Sequence, residues 1–204
     1  PNAINAVKDA IGTLQSNPLK PELENFAMIG HSMGGLITAS MAVLARSEGL
    51  PKPKAVMCVA PGVTDLGYMS VDLGDLSCMP QSALLLCLVG DRDQNVGDVD
   101  AKTIFYEADI PPENKNFVIV QSDEYGEPDL IADHRAPGPR SRVDALDYYA
   151  YWKLFDGLYD AAFHGVNREY ALGNTPEQRF IGYWSDGTPV KELIIADSLQ
   201  SLFS

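Results

Sequence analysis

The sequence predicts an α/β fold with a mostly parallel sheet, and three observations predict it. Strand-length apolar runs alternate with stretches of helical spacing, the order expected when helices connect the strands of one sheet. Two of the runs, KAVMCVA (54–60) and ALLLCLVG (83–90), are apolar at nearly every residue, as strands covered on both faces are. The third observation is a change of rhythm in FAMIGHSMGGLITASMAVLA (26–45), where a lone serine stands among glycines as strand spacing gives way to helical spacing.

The elements follow in order. Ile4, Val7, Ile11 and Leu14 recur at helical spacing over residues 2–16, and Asn17-Pro18 ends the pattern. NFAMIG (25–30) is a short run of strand length. Residues 33–48 return to helical spacing through Met33, Leu36, Ile37, Ser40, Met41 and Leu44, with Gly49 and Pro51 as the stop. After the two apolar strands, Ala101, Ile104, Phe105 and Ala108 mark a helix halted at Pro111-Pro112, and NFVIV (116–120) reads as a further strand. Val143, Leu146, Ala150, Leu154, Phe155, Leu158 and Ala162 mark a long last helix ended by Gly165. Residues 1–165 are expected to form the α/β core. Residues 166–204 read differently, since RFIGYWSDGTPVKELIIAD has two apolar stretches about an Asp-Gly turn signal. A short C-terminal appendage with a hairpin is expected there.

Composition narrows the function classes. With 204 residues, 46% of them hydrophobic, the chain can bury one sizeable core. Its formal net charge of −13 argues against nucleic acid or an anionic membrane as partner, because clustered Lys and Arg drive phosphate binding. Neutral and cationic small molecules remain open. No run of 18 apolar residues occurs, so no bilayer-spanning helix is expected. The chain opens inside a helical pattern without a charged-then-apolar leader, which leaves a secretion signal undecided. Cys58, Cys78 and Cys87 are odd in number and lack C-x-x-C spacing, so neither a disulfide framework nor a metal site is expected. Cys58 and Cys87 read as small buried hydrophobes, with a weak lean to a reducing compartment.

A strand ending at Gly30 and a helix beginning near Met33 leave Ser32 on a sharp strand-to-helix turn. Such a turn strains the serine and tolerates only small neighbours, hence Gly30 and Gly34, with Gly35 as a further small residue for close helix packing. The hydroxyl would stand at a helix N-terminus, where free N–H groups and the dipole favour developing negative charge. The backbone N–H of Met33 would be one oxyanion donor. A neutral serine is a poor nucleophile and needs a base and an orienting acid.

Of the three histidines, His31 adjoins the serine and is badly placed to reach its Oγ. His164 ends the long helix beside Gly165, where a histidine suits the helix C-terminus. His134 lies in YGEPDLIADHRAPGPR, a Pro- and Gly-rich loop after the last core strand, on the edge where α/β folds place their sites. Asp91 and Asp93 follow the strand LLLCLVG. Asp91, directly after Gly90, suits turn formation, and Asp93 is the better acid.

The order Ser32, Asp93, His134, each after its own strand, resembles the α/β-hydrolase superfamily. Over residues 25–165 the chain looks like that superfamily's C-terminal portion. GHSMGG resembles the elbow of bacterial lipases, carboxylesterases and dienelactone-hydrolase-like enzymes, and VGDRD resembles their acid loop. The resemblance implies Ser32 as nucleophile, Asp93 as acid, His134 as base, no metal or cofactor, and a small-molecule ester cleaved through an acyl-enzyme. Serine at the elbow departs from haloalkane dehalogenases and epoxide hydrolases, which carry aspartate there.

In the family the elbow follows the fifth strand, and an earlier loop supplies the second oxyanion N–H. Only 31 residues precede this serine, so the N-terminal strands and the second donor are expected to be missing. The stretch 61–82, where relatives often insert a lid, is short, which points to an open site. Leu66, Tyr68, Met69, Leu73 and Met79 would line an acyl or alcohol pocket or simply cover the core. These residues do not separate esterase from lipase, thioesterase or peptidase. They also leave open a different class, a non-catalytic binding or interaction module or an inactive fragment on the same scaffold.

Overall fold

The computed structural model describes residues 2–18, 20–63, 70–138 and 142–196. At its centre is a five-stranded sheet in the order β1 (Phe26–His31), β2 (Pro53–Val59), β3 (Leu84–Gly90), β4 (Lys115–Val120) and β5 (Ile194–Ala196). The first four strands run parallel, and β5 lies antiparallel to β4.

The apolar runs account for the layers. On β2, Val56 and Cys58 join one core with Leu85, Cys87 and Phe117, whereas Ala55, Met57 and Val59 join the other with Leu86, Leu88 and Val118. Successive side chains of a strand face opposite ways, so a strand with a core on each side has no position to spare for a polar residue. Helices α1 (Asn2–Gln15), α2 (Met33–Leu44) and α3 (Val99–Glu107) cover the first face through Ile4, Leu36, Met41, Ile104 and Phe105. Helix α4 (Lys153–His164) covers the second through Leu154 and Leu158. Cys58 and Cys87 sit side by side in the β2–β3 register, both free and fully buried, while Cys78 is exposed. Burial, reinforced by Cys58, pushes the Cys87 thiol well above its ordinary pKa, so it packs as an apolar group.

Two elements depart from the helical spacing. Helix α2 stops at Leu44, and Gly49 at φ 67° lets the Leu50 N–H reach back 2.9 Å to the Ala45 carbonyl. The long last helix is not one α-helix: Asp147–Trp152 winds as a π-helix before α4 begins at Lys153. The buried stripe Leu146, Ala150, Leu154, Leu158 shows why. Residues four apart drift by about 40° per step on an α-helix of 3.6 residues per turn, and a wider π turn takes up part of that drift. Gly165, at φ 70°, ends α4 as its spacing predicts.

The segment after α4 returns to the same sheet. The Trp184 N–H donates to the Thr188 carbonyl (2.8 Å) and the Gly187 N–H to the Trp184 carbonyl (2.9 Å), forming the Asp-Gly turn. Only Tyr183 and Pro189 bridge across it, and Ile194–Ala196 then pairs with Phe117–Ile119 of β4. The second apolar stretch thus joins the sheet instead of running back along the first. Two polar anchors hold it in place. Lys153 Nζ donates to the carbonyls of Glu177, Gln178 and Phe180 at 2.9, 2.9 and 2.6 Å. Asp123, 3% exposed, accepts from the N–H groups of Lys191 (3.0 Å) and Tyr125 (3.1 Å) and from the Trp184 indole (3.1 Å).

Burial by itself would raise the Asp123 pKa, but the Lys191, Trp184 and Tyr125 donors outweigh it and leave it below the ordinary carboxylate value. The unfolded chain then binds its proton more tightly than the folded one. The stabilisation is complete above the unfolded pKa and fades as pH falls through the folded one. Asp123→Asn is expected to lower stability by about 1–3 kcal/mol at neutral pH. Its melting temperature should also fall less steeply with acid than the wild type's; parallel acid limbs in thermal melts would contradict this account.

Candidate active site

One residue, Ser32, joins β1 to α2. It stands at φ 59°, ψ −129°, a conformation that costs a non-glycine residue about 1–3 kcal/mol and persists only where its surroundings enforce it. Here the Ser32 N–H donates to the Val59 carbonyl (3.0 Å), carrying the β1–β2 ladder one residue past the strand. The Ser32 carbonyl accepts from the N–H groups of Gly35 (2.9 Å) and Gly62 (3.3 Å). Helix α2 turns so tightly over β1 that a Cβ on Gly30 would lie 2.1 Å from the Gly34 carbonyl oxygen and 2.6 Å from Thr38 Oγ1. A Cβ on Gly35 would meet Pro61 at 2.9 Å, whereas one on Gly34 would meet nothing within 4 Å. The small residues this turn requires are therefore Gly30 and Gly35, which corrects the expectation that placed the second requirement at Gly34.

The loops after β3 and β4 bring their side chains to this turn. His134 Nε2 lies 2.9 Å from Ser32 Oγ, and His134 Nδ1 lies 2.7 Å from Asp93 Oδ2. The side chain of Asp93 is 1% exposed and that of His134 12%. A buried carboxylate needs donors, and Asp93 Oδ1 has two in the N–H groups of Asn95 (2.9 Å) and Val96 (3.2 Å). Its Oδ2 is left to the imidazole. A carboxylate only accepts, so the proton of neutral His134 resides on Nδ1 and the Nε2 lone pair faces the serine hydroxyl.

Asp91 has a separate task. Its two oxygens accept from the Ser122 N–H (2.9 Å) and the Ser122 hydroxyl (2.6 Å), and that hydroxyl oxygen accepts from the Ala132 N–H (2.9 Å). The Arg92 N–H donates to the Ala132 carbonyl (3.2 Å), an oxygen that a Cβ on Gly90 would approach to 2.1 Å. The end of β3 is thus fastened to the loop two residues before His134. Asp133 Oδ1 accepts from the N–H groups of Arg135 (2.8 Å) and Ala136 (3.1 Å), tightening the turn about the histidine. Sequence reasoning gave Asp91 a turn role but missed its partner Ser122, and it missed Asp133 altogether. A lone serine or aspartate in a loop has no pattern that distinguishes it.

The other histidines are elsewhere engaged. His164, exposed at the end of α4, lies edge-on to Tyr159 at 5.7 Å. His31 turns away from Ser32 Oγ, and its Nε2 meets the backbone carbonyl of His134 at 2.9 Å. Burial first, then the neighbouring His134, hold the His31 pKa below its ordinary value against the opposing pull of that bond and of Asp93. A cavity of about 360 Å³ beside it is walled by Ile29, Val59, Tyr151, Trp152 and Phe155. Of the apolar residues in 61–82, Met79 is buried in the first core and Leu73 packs against it. Leu66, Tyr68 and Met69 lie outside the described residues. Among the described residues no three His, Cys, Asp or Glu side chains cluster as metal ligands, and no helix is long and apolar enough to cross a membrane.

A family model described as an alpha/beta hydrolase fold matches residues 1–86, the stretch that contains the Ser32 turn and strands β1 and β2. The chain thus has an α/β-hydrolase-type fold, a mostly parallel sheet with flanking helices. No curated protein matches it. Among solved structures, a 2,6-dihydroxy-pseudo-oxynicotine hydrolase is 18% identical with a TM-score of 0.47, over 79% of this chain and 47% of that one. Human thioesterase 2 is 16% identical with a TM-score of 0.41, over 78% and 82%. A hyperthermophilic esterase from the archaeon Pyrobaculum calidifontis is 17% identical with a TM-score of 0.41, over 59% and 50%. The chain spans about half the length of most such structures, including 47% of a predicted CIB-like hydrolase from Thermoplasma acidophilum and 49% of an arylesterase.

The Ser32 turn makes a steric prediction. Gly30→Ala should prevent normal folding or strip several degrees from the melting temperature, since the added carbon meets backbone. Gly34→Ala should leave the melting temperature unchanged or raise it, because alanine in a helix is favoured over glycine by about 0.5–1 kcal/mol. Equal losses in the two variants would refute the assignment.

Proposed function

We propose that this chain holds the acyl-transfer site of a serine hydrolase acting on carboxylic esters, with Ser32 as nucleophile, His134 as base and Asp93 as orienting acid. The observation that carries the proposal is the continuous hydrogen-bonded line from Asp93 Oδ2 through His134 to Ser32 Oγ, at 2.7 and 2.9 Å. Its three members come from different loops at one edge of the sheet.

The chemistry follows from the tautomer. As Ser32 Oγ attacks the ester carbonyl carbon, its proton passes to His134 Nε2 and the imidazolium is stabilised by the buried Asp93 carboxylate. The negative charge moves to the former carbonyl oxygen. Met33 is the first residue of α2, so its N–H falls outside the helical ladder and is available to that oxygen. Collapse breaks the bond to the alcohol, which leaves with the proton from His134 and gives acyl-Ser32. A water then loses a proton to His134, attacks the acyl carbon and releases the carboxylic acid as Ser32 recovers its proton. The substrate class is a small neutral or cationic ester, in keeping with the net charge of −13.

A fluorophosphonate probe and p-nitrophenyl butyrate hydrolysis test this reading. Ser32→Ala and His134→Ala should each lower turnover by about 10⁴-fold or more, and Ser32→Ala should abolish labelling. His164→Ala should leave turnover near wild type. A wild-type chain that neither labels nor hydrolyses would favour the non-catalytic binding module.

The two aspartates give a sharper comparison. Asp93→Asn should cut kcat by about 10⁴-fold because it permits the wrong imidazole tautomer. Asp91→Asn should act mainly on the melting temperature, through the Ser122 and Ala132 contacts, with a far smaller loss of turnover. Similar losses in both would remove Asp93 from the acid role.

A further inference from the structure

We propose that His31 is a positioning residue for the base, its Nε2–H holding the backbone carbonyl of His134 and thereby setting the imidazole's approach to Ser32 Oγ. The inference rests on the serine-hydrolase reading above and extends it to a residue that the Asp93–His134–Ser32 line does not include. It begins from a donor that can be assigned. A carbonyl oxygen only accepts, so the 2.9 Å contact requires the proton on His31 Nε2.

That bond spans 103 residues of sequence and closes a ring. The His134 side chain reaches Ser32 Oγ at 2.9 Å, the His134 main chain accepts from His31, and His31 is covalently joined to Ser32. The base is therefore tied to the elbow at two points, one on its ring and one on its backbone. With only the ring bond, the loop could pivot about Oγ. With both, the His134 main chain and its ring nitrogen are fixed relative to the nucleophile together.

The ring of His31 suits this task in two further ways. It lies 4.8 Å from the His134 ring, tilted by 38°, so it packs against the base as well as bonding to it. Neutral His31 adds no positive charge beside the imidazolium that forms on His134, and the apolar wall of Ile29, Val59 and Phe155 favours the neutral form. The carboxylates on this side are Asp93, held behind His134, and Asp156, at the edge of the cavity on α4.

The experiment compares His31→Gln, which keeps an N–H at similar reach, with His31→Phe, which keeps a ring but has no donor. His31→Met is a second donor-less variant in case the Phe variant does not fold. Three quantities are measured: the rate of fluorophosphonate labelling at Ser32, kcat against KM for p-nitrophenyl butyrate, and the far-downfield proton NMR resonance of His134 Nδ1–H. Displacement of a catalytic group by about 1 Å can lower the rate roughly 10²-fold. The donor-less variants should therefore lose about 10- to 100-fold in labelling rate and kcat with little change in KM or melting temperature. Their Nδ1–H resonance should broaden or vanish, and His31→Gln should recover both rate and resonance.

A donor-less variant with wild-type rate and resonance would overturn the proposal, as would a folded Gln variant no better than Phe or Met. If the wild type neither labels nor hydrolyses, the serine-hydrolase reading fails by itself and the resonance decides about His31. Loss without a donor and return in the Gln variant uphold positioning; persistence without a donor overturns it. Absence of the resonance from the wild type would mean that the Asp93–His134 bond does not form, and the proposal falls with it.

Discussion

The close approach of β1 and α2 at a one-residue turn is the constraint on which the rest of the site depends. Because Ser32 occupies a positive-φ conformation, its N–H can extend the ladder to Val59 while its carbonyl turns to Gly35 and Gly62. The strain of about 1–3 kcal/mol is matched by hydrogen bonds worth about 1 kcal/mol each, and two of the three come from the chain around β2. The turn is thus held from outside as well as by its own sequence. A helix that starts at the next residue points its free N–H groups toward the serine's surroundings. The geometry that presents the hydroxyl therefore also creates the electropositive place beside it.

Asp91 and Asp93 divide two functions that one carboxylate could not perform together. Asp93 spends one oxygen on the backbone of its own loop and the other on the imidazole. Asp91 spends both on Ser122 and, through it, holds Ala132. One orients the His134 ring and the other fixes the loop that carries it. Two residues apart on the same turn, they act on the same histidine by different routes. A charge defect at one and a slack loop at the other would have different signatures in rate and stability.

The fold was legible in the sequence where burial leaves a pattern. Strands β2 and β3 announce themselves because a core on each face removes nearly every polar position, Lys54 near the start of β2 excepted, and the Ser32 turn because the spacing changes there. The order of Ser32, Asp93 and His134 along the chain, each after a strand, singled out three side chains that the structure brings within hydrogen-bond reach of one another. What stayed hidden has no periodic trace. Strand β5 is three residues long, and its pairing is decided by where the preceding turn delivers it. The Asp91–Ser122 and His31–His134 contacts join residues 31 and 103 apart, through single polar atoms. The glycines of GHSMGG were visible as a group, but which of them a Cβ would disturb depends on where Pro61 and Thr38 come to rest.

The segment after α4 belongs to this same mechanical argument. Ser122 and Asp123 are adjacent at the end of β4, and their side chains are held from opposite directions, Ser122 by Asp91 and Asp123 by Trp184 and the Lys191 N–H. Asp123 and Leu130 then exchange two backbone hydrogen bonds, at 2.8 and 2.9 Å, closing the neck of the intervening loop. Ala132 is fastened by Ser122 and Arg92. By the time the chain reaches His134 it has been secured at 123, 130 and 132, and only a short span remains free to displace the imidazole. The placement of the His134 imidazole is accumulated along the backbone from the far edge of the sheet, so β5 and its turn bear on the site without touching it.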